Sequence, residues 1–547
     1  MFVRARFTHH GVTSQSPGCT MKKPLIHVFL VAFAAVFVLT LYADNLKALC
    51  GMSADALAGD TQFERRTEWS QGKLEKKKLV NFGQDNVGYG GAVTPAPSQA
   101  IRTALDTRST FAIDVDTASY TWARRSLLES SQLPAAEGIR VEEWVNAFDY
   151  ELSEPKGAPF AISVEGAASP FDESRTLVKV ALQGRHVDEE QRKPAHLVFL
   201  VDVSGSMSGA DRLPLAKRSL EVLTHQLRPT DTVALVTYAG RAEVVLKPTS
   251  AKNQQQILTA ISSLRTGGGT SMGSGMELAY RLAVGQVQRA TTTRVIVLTD
   301  GDTNIGPNLS VAQILASVHA YVDEGVTLTT VGFGLGNYKD NALEQLADKG
   351  NGQALYVDSE KAIDRAFRQG LTGTLEVIAK DVKVQVTFDP KVVSTYRLIG
   401  YENRAVADDD FKNDKVDAGE LGSGHTVTAL YEVTLTAASG ALGSVAVRGQ
   451  LPDSNEVFEV NAPITRAAVA HALAETGSDL RFATAVALGA DTLRGNAVGT
   501  WSLSAIASLA EGAAHGKPER LEFVSMLRKA DSLRSRPVAQ RSDDSAY

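Results

Sequence analysis

Between about residues 195 and 373 the chain alternates short apolar runs with amphipathic stretches. Strands are predicted at 197–201, 232–238, 242–246, 294–298 and 326–333, with a short one near 354–357. Between the first two, Leu213, Ala216, Leu220, Leu223 and Leu227 recur in steps of three and four, which puts them on one face of a helix. A further helix is expected over Ser359–Leu371. Continuously apolar strands separated by helices imply a mainly parallel sheet covered on both sides, a doubly wound α/β fold of Rossmann-like type.

The flanks follow other periods. Phe111–Val115 reads as a short strand, Thr117–Leu128 and Ile139–Phe148 as helices, and Phe160–Ala168 and Thr176–Gly184 as strands. The adjacent Asp114 and Asp116 are expected to serve the start of the first helix as caps. After 375 the helical alternation stops, and Val382–Phe388, Thr426–Thr434, Gly443–Gln450 and Val457–Val460 have strand character. Beyond 466 the pattern is helical again, through Leu480–Leu493, Trp501–Leu509 and Leu521–Leu527. An isolated pair of strands at 158–185 is marginal in water, and its edges need partners. The only other strand-rich region is 380–460, so a β-sandwich-like domain is expected from segments before and after the α/β domain.

The resulting division is 1–43 signal peptide or membrane anchor, 44–105 linker, 106–157 helical segment, 158–194 strands joining the later β domain, 195–373 α/β domain, 374–465 β domain and 466–547 helices. Export rests on Lys22 and Lys23 ahead of the apolar stretch Leu25–Ala43, with translation from Met21 an alternative start. Cleavage after Ala43 competes with retention of residues 24–43 as an anchor, because the stretch approaches the ~20 residues that span a bilayer. The expected location is the periplasm or cell envelope. The two cysteines, Cys19 and Cys50, lie outside the folded part, which therefore has no internal disulfide. Cys50 as a lipid acceptor is weakened by Lys47-Ala-Leu49, which lacks the small residue expected before it.

With 547 residues, 44% hydrophobic and 22% charged, the composition is that of globular protein. A net charge of −6 without a long basic run argues against a nucleic-acid partner. The chemistry concentrates where the apolar run Leu197–Val201 empties into Asp202-Val-Ser-Gly-Ser206. One carboxylate and two hydroxyls at alternate positions suit a hard cation such as Mg²⁺, with Mn²⁺ or Ca²⁺ as alternatives. Thr270 after three glycines, and Asp300 at the end of Val295–Asp300, complete a candidate site from three loops. Asp302 reads as a loop residue, and Asp408–Asp410 with Asp414 and Asp417 as a solvated acidic turn. No His pair at helical spacing, no complete nucleophile elbow and no phosphate-cradling loop is present, which disfavours a hydrolase.

Asp202, Ser204, Ser206, Thr270 and Asp300 together resemble the metal-ion-dependent adhesion site of von Willebrand factor type A domains. Phe111–Tyr120, Tyr396–Arg404 and Asp417–Glu432 resemble the flanks of one bacterial group within that superfamily, the YfbK-like proteins. The resemblance implies Ser204 and Ser206 bound directly to the metal, Thr270 bound directly or through water, and Asp202 and Asp300 acting mostly through coordinated water. It also implies a metal free to take a carboxylate from a partner protein. The leading reading is thus a non-enzymatic envelope protein that binds a protein partner through a divalent cation. The alternative is a structural or envelope-assembly component whose metal only stabilises its loop.

Overall fold

The computed structural model describes residues 98–170, 172, 174–288, 290–301, 320–334, 340–369, 371–452, 454–495 and 501–535. The apolar stretch from Leu25, both cysteines and Asp302 lie outside them. Among the described residues no helix is long and apolar enough to cross a membrane.

Strands β1 (Ile101–Arg102) and β2 (Arg108–Ala112) come first, then helices α1 (Ala118–Leu128) and α2 (Val141–Asn146). The expected linker runs too far, because Ile101 and Arg102 pair with Tyr396 and Thr395. Two residues need little apolar content of their own when a distant strand supplies the backbone partners. The capping expected of Asp114 and Asp116 is also corrected. Thr117 stands at the helix start without a side-chain cap bond. Asp116 instead accepts from the Ala354 N–H at 2.9 Å, and both carboxylates face Arg404.

Strands β3 (Phe160–Ala168) and β4 (Arg175–Gly184) precede the α/β domain. That domain comprises β5 (Ala195–Asp202), α3 (Leu213–Gln226), β6 (Thr232–Tyr238), β7 (Ala242–Ser250), α4 (Gln254–Ser263), α5 (Met272–Val284), β8 (Thr292–Thr299), β9 (Val326–Gly332), α6 (Asp340–Lys349) and β10 (Ala354–Tyr356). Its sheet has the order β10-β9-β8-β5-β6-β7, parallel except for β7. Every residue of β5 is buried because its two faces meet different helices. Leu197, Phe199 and Val201 pack with Leu213, Ala216, Leu220 and Leu223, while Val198 and Leu200 pack with Met272, Met276 and Tyr280. With β6 and β8 on either side, β5 is where the strand order turns, so a crevice forms above its carboxyl end. The helix expected over 359–371 is interrupted: α7 (Glu360–Ile363) passes into a π-helical turn, Asp364–Gln369, before α8 (Leu371–Leu375).

The chain then returns through β11 (Val377–Phe388), β12 (Val393–Ile399), β13 (Gly419–Gly422), β14 (Thr426–Leu435), β15 (Gly443–Gln450), β16 (Val457–Ile464) and β17 (Val469–Ala470). One sheet runs β1-β12-β14-β4-β3-β17; the other runs β13-β11-β15-β16, with β2 also on β11. Strand β4 lies antiparallel to β14 from Arg175 opposite Thr434 to Gln183 opposite Thr426. Val178, Val180 and Leu182 meet Val384, Val386, Val445 and Val447 between the sheets. The sandwich is thus built from both sides of the α/β domain. Its outer face, with Leu177 and Leu430, is covered by α1, α2 and α9 (Ser478–Leu493), α10 (Leu503–Gly512) and α11 (Pro518–Arg534). Trp144, fully buried, stands edge-on to Phe523 there.

Polar contacts join the α/β domain to the rest. Where the chain enters and leaves it, the Lys193 N–H donates to Glu376 Oε2 at 3.1 Å. Arg404 lies 2.8 Å from Asp348 and 3.7 Å from Glu344 of α6, and 3.3 and 3.4 Å from Asp114 and Asp116. Removing one partner of a buried charge cluster leaves the others uncompensated. Arg404→Met should therefore cost about 3 kcal/mol of stability, read from urea unfolding. A second contact has Asn351 Nδ2 donating to Glu420 Oε1 at 3.1 Å, and Gln353 Nε2 lying 3.1 Å from His425 Nδ1.

Desolvation, reinforced by Asp381, pushes Glu420 up to about 8, and burial pulls His425 down to about 4. A carboxyl raised in the fold holds its proton where the unfolded chain has lost it, so stability falls as pH rises from about 4.5 to about 8. The lowered His425 acts the other way, losing stability as pH falls from 6.5 toward about 4. Of these two groups, only Glu420 contributes a slope above 6.5. Urea midpoints of the intact protein should drop between pH 6.5 and about 8, and Glu420→Gln should flatten that drop.

Candidate metal centre

Asp202 ends β5 and is fully buried. Its Oδ1 accepts from the Ser204 N–H at 2.8 Å, and its Oδ2 accepts from the Thr299 hydroxyl at 3.0 Å. The turn so formed brings the Ser204 and Ser206 hydroxyls within 2.9 Å of each other. Gly205–Ser208 continues as a short 3₁₀ turn anchored by the buried Met207. Burial pushes the Asp202 carboxyl above its usual range, and nearby Asp300 adds to this, while the donors from Ser204 and Thr299 oppose it.

Two backbone bonds tie the glycine loop to this turn. The Gly267 N–H donates to Val203 O at 2.8 Å, and the Gly205 N–H donates to Gly268 O at 3.2 Å. Gly268 has φ +85°, and a Cβ there would stand 3.3 Å from the Gly240 nitrogen, so glycine is needed. Thr270 follows two residues later, half-buried, just ahead of α5. Asp300 lies one residue beyond β8, buried, with Arg212 Nη1 at 3.3 Å from its Oδ2. The same Nη1 donates to the Ser206 carbonyl.

The structure therefore brings Asp202, Ser204 and Ser206 into direct contact, links Asp300 to Ser206 through Arg212, and pins the loop bearing Thr270 against Gly205. Among the described residues no three His, Cys, Asp or Glu side chains cluster as metal ligands; this centre has two carboxylates, and its other donors are hydroxyls. Hard oxygen donors of low total charge, converging at a water-depleted strand end, fit a divalent cation. Thr299 and Arg212 are additional members that the spacing argument does not identify. Thr299 has a readable signal in its place beside Asp300, whereas Arg212 is an ordinary polar position at the start of an amphipathic helix.

Family models match the chain along most of its length. The von Willebrand factor type A domain covers residues 196–369, the C-terminal model of YfbK covers 373–443 and 436–533, and a model described as von Willebrand factor covers 94–179. The chain is 34% identical to YfbK of Escherichia coli K12 over 456 residues, 78% of each protein. It is 28% identical over 197 residues to sll0103 of Synechocystis, 36% of this chain and 45% of that one. A von Willebrand factor type A structure from Catenulispora acidiphila superposes with a TM-score of 0.44 at 17% identity, covering 70% of this chain and 91% of that one. With a type A domain between flanks that match YfbK on both sides, the chain belongs to the YfbK family of von Willebrand factor type A proteins.

Proposed function

We propose that this protein is a non-enzymatic binding protein that captures a protein partner through a divalent cation held by Asp202, Ser204, Ser206, Thr270 and Asp300. Type A domains serve in protein–protein interaction and adhesion. The observation that carries the reading is the pair of serine hydroxyls 2.9 Å apart beside a fully buried aspartate. Asp202, restrained at both oxygens, orients the turn rather than spending its charge on the ion. The hydroxyls supply neutral donors, so the centre keeps a surplus of positive charge when loaded. The bound ion, preferably Mg²⁺, supplies an electrophilic position that a partner's carboxylate completes. Residues 24–43 fit an export signal or anchor, which would place the domain in the periplasm or cell envelope.

A second reading, an envelope-assembly component whose metal only stiffens the loop, draws support from Arg125 of α1, which bonds Asp211 on the rim of the site at 2.7 Å. Pull-down from native envelopes separates the two. Capture abolished by EDTA and restored by Mg²⁺ supports metal-bridged binding, whereas capture indifferent to EDTA supports the scaffold.

Two substitutions test the centre itself. Asp202→Ala should abolish Mg²⁺ and Mn²⁺ uptake in isothermal titration while the circular dichroism spectrum is retained; unchanged affinity would refute the assignment. Thr299→Val removes the donor to Asp202 Oδ2 and the acceptor of the Gly301 N–H, so it should weaken uptake by the ~10–100-fold typical of losing a group that orients a ligand.

A further inference from the structure

Resting on that reading of the site, we infer that Arg212 is a built-in competitor for the divalent cation, and that helix α1 controls how readily it gives way. Arg212 Nη1 sits between two parts of the centre, donating to the Ser206 carbonyl and lying 3.3 Å from Asp300 Oδ2. A guanidinium keeps its charge at every accessible pH. A dication drawn to the serine hydroxyls and to Asp300 meets that charge at close range, and the two repel.

Orienting Asp300 is the opposing contribution of Arg212, and it is the smaller one. Asp300 directly follows β8, whose Thr299 is in register with Gly332 of β9, so the sheet already sets the backbone that carries the carboxylate. What Arg212 adds is mainly charge.

The arginine is held in place by a closed ring of contacts. Gly334 has φ +77°, and a Cβ there would come within 2.7 Å of Arg212 Nε, so any side chain at 334 would push the guanidinium away. Asp211 Oδ1 lies 4.0 Å from Arg212 Nε, and its Oδ2 accepts from Arg125 Nη2 at 2.7 Å. Arg125 Nη1 donates to the Tyr356 hydroxyl at 3.3 Å, and that hydroxyl donates to the Gly334 carbonyl, closing the ring. Arg125 belongs to α1, outside the α/β domain. Its neighbour Arg124 bonds Asp358 within that domain and lies 3.3 Å from Glu522 of α11. Helix α1 thus connects the rim of the centre to the C-terminal helices through consecutive arginines. Displacing α1 frees Asp211 to draw Arg212 off Asp300.

Isothermal titration of the full chain with MgCl₂ and with MnCl₂ tests this, using the intact protein, Arg212→Gln, Arg125→Gln and the double variant. Arg212→Gln should bind at least tenfold more tightly, a gain that general structural damage would not produce. Arg125→Gln should also bind more tightly, and the double variant no more tightly than Arg212→Gln alone, because both changes act through one guanidinium. Should Arg212→Gln not fold, Arg212→Met retains the aliphatic contact beside Gly334 with the same expected gain. Equal or weaker uptake by the Arg212 variant, with normal uptake by the intact chain, overturns the competitor role. Additive gains in the double variant overturn control by α1. No uptake by either the intact chain or the Arg212 variant overturns the cation-site reading together with this one.

Discussion

The architecture depends on the pairing of β4 with β14. Strand β4 is buried on nearly its whole length, with one face against the second sheet and the other against the helices. A strand buried on both faces must find hydrogen-bond partners along both edges, because an unpaired backbone group there has no water to turn to. Strand β3 supplies one edge. The other is filled by a segment some 250 residues away in sequence, and the α/β domain occupies the interval. The closure at Lys193 and Glu376, the charge cluster around Arg404 and the contacts of α1 all presuppose that return of the chain.

Within the α/β domain the same accounting shapes the candidate centre. Asp202 is removed from water and satisfied by hydrogen bonds from Ser204 and Thr299 rather than by a salt bridge. Burial favours the protonated form of this carboxyl, and the donors from Ser204 and Thr299 oppose that by favouring the ionised one. The balancing positive charge comes from Arg212, at the opposite carboxylate. The two acids of the centre are thus satisfied differently, one by hydroxyl and amide donors and the other by a guanidinium.

Much of this is legible in the sequence, and the limits are physical. The α/β domain can be read because its strands are buried on both faces and run apolar without interruption, as at Leu197–Val201. Asp202 and Asp300 can be read because they sit where such strands end, and Thr270 because three glycines precede it. The sandwich is legible as strands and as a product of both flanks, but β12 and β13 are not: Val393–Ile399 buries every third residue rather than every second, and Gly419–Gly422 has little apolar content. Asp114 and Asp116 look like capping residues because local spacing cannot reveal Arg404, nearly 290 positions away. Arg212 and Arg125 are silent for the same reason. Their partners are set by tertiary packing, and a single long polar side chain on a helix gives no periodic signal.

The closeness of Lys193 to Glu376 also decides how mechanical tension travels. The α/β domain hangs from the sandwich by two strands that meet at its base, like a loop on a hem. A pull between the first strand and the C-terminal helices is carried across β1, β12, β14 and β4, whose ladders share the load. The type A domain is not threaded on that ladder but is tied to it at its stems and through α1. A load on the α/β domain would reach the sandwich through both of its stems at once, and a load on the C-terminal helices would reach α1 through Glu522 and Arg124.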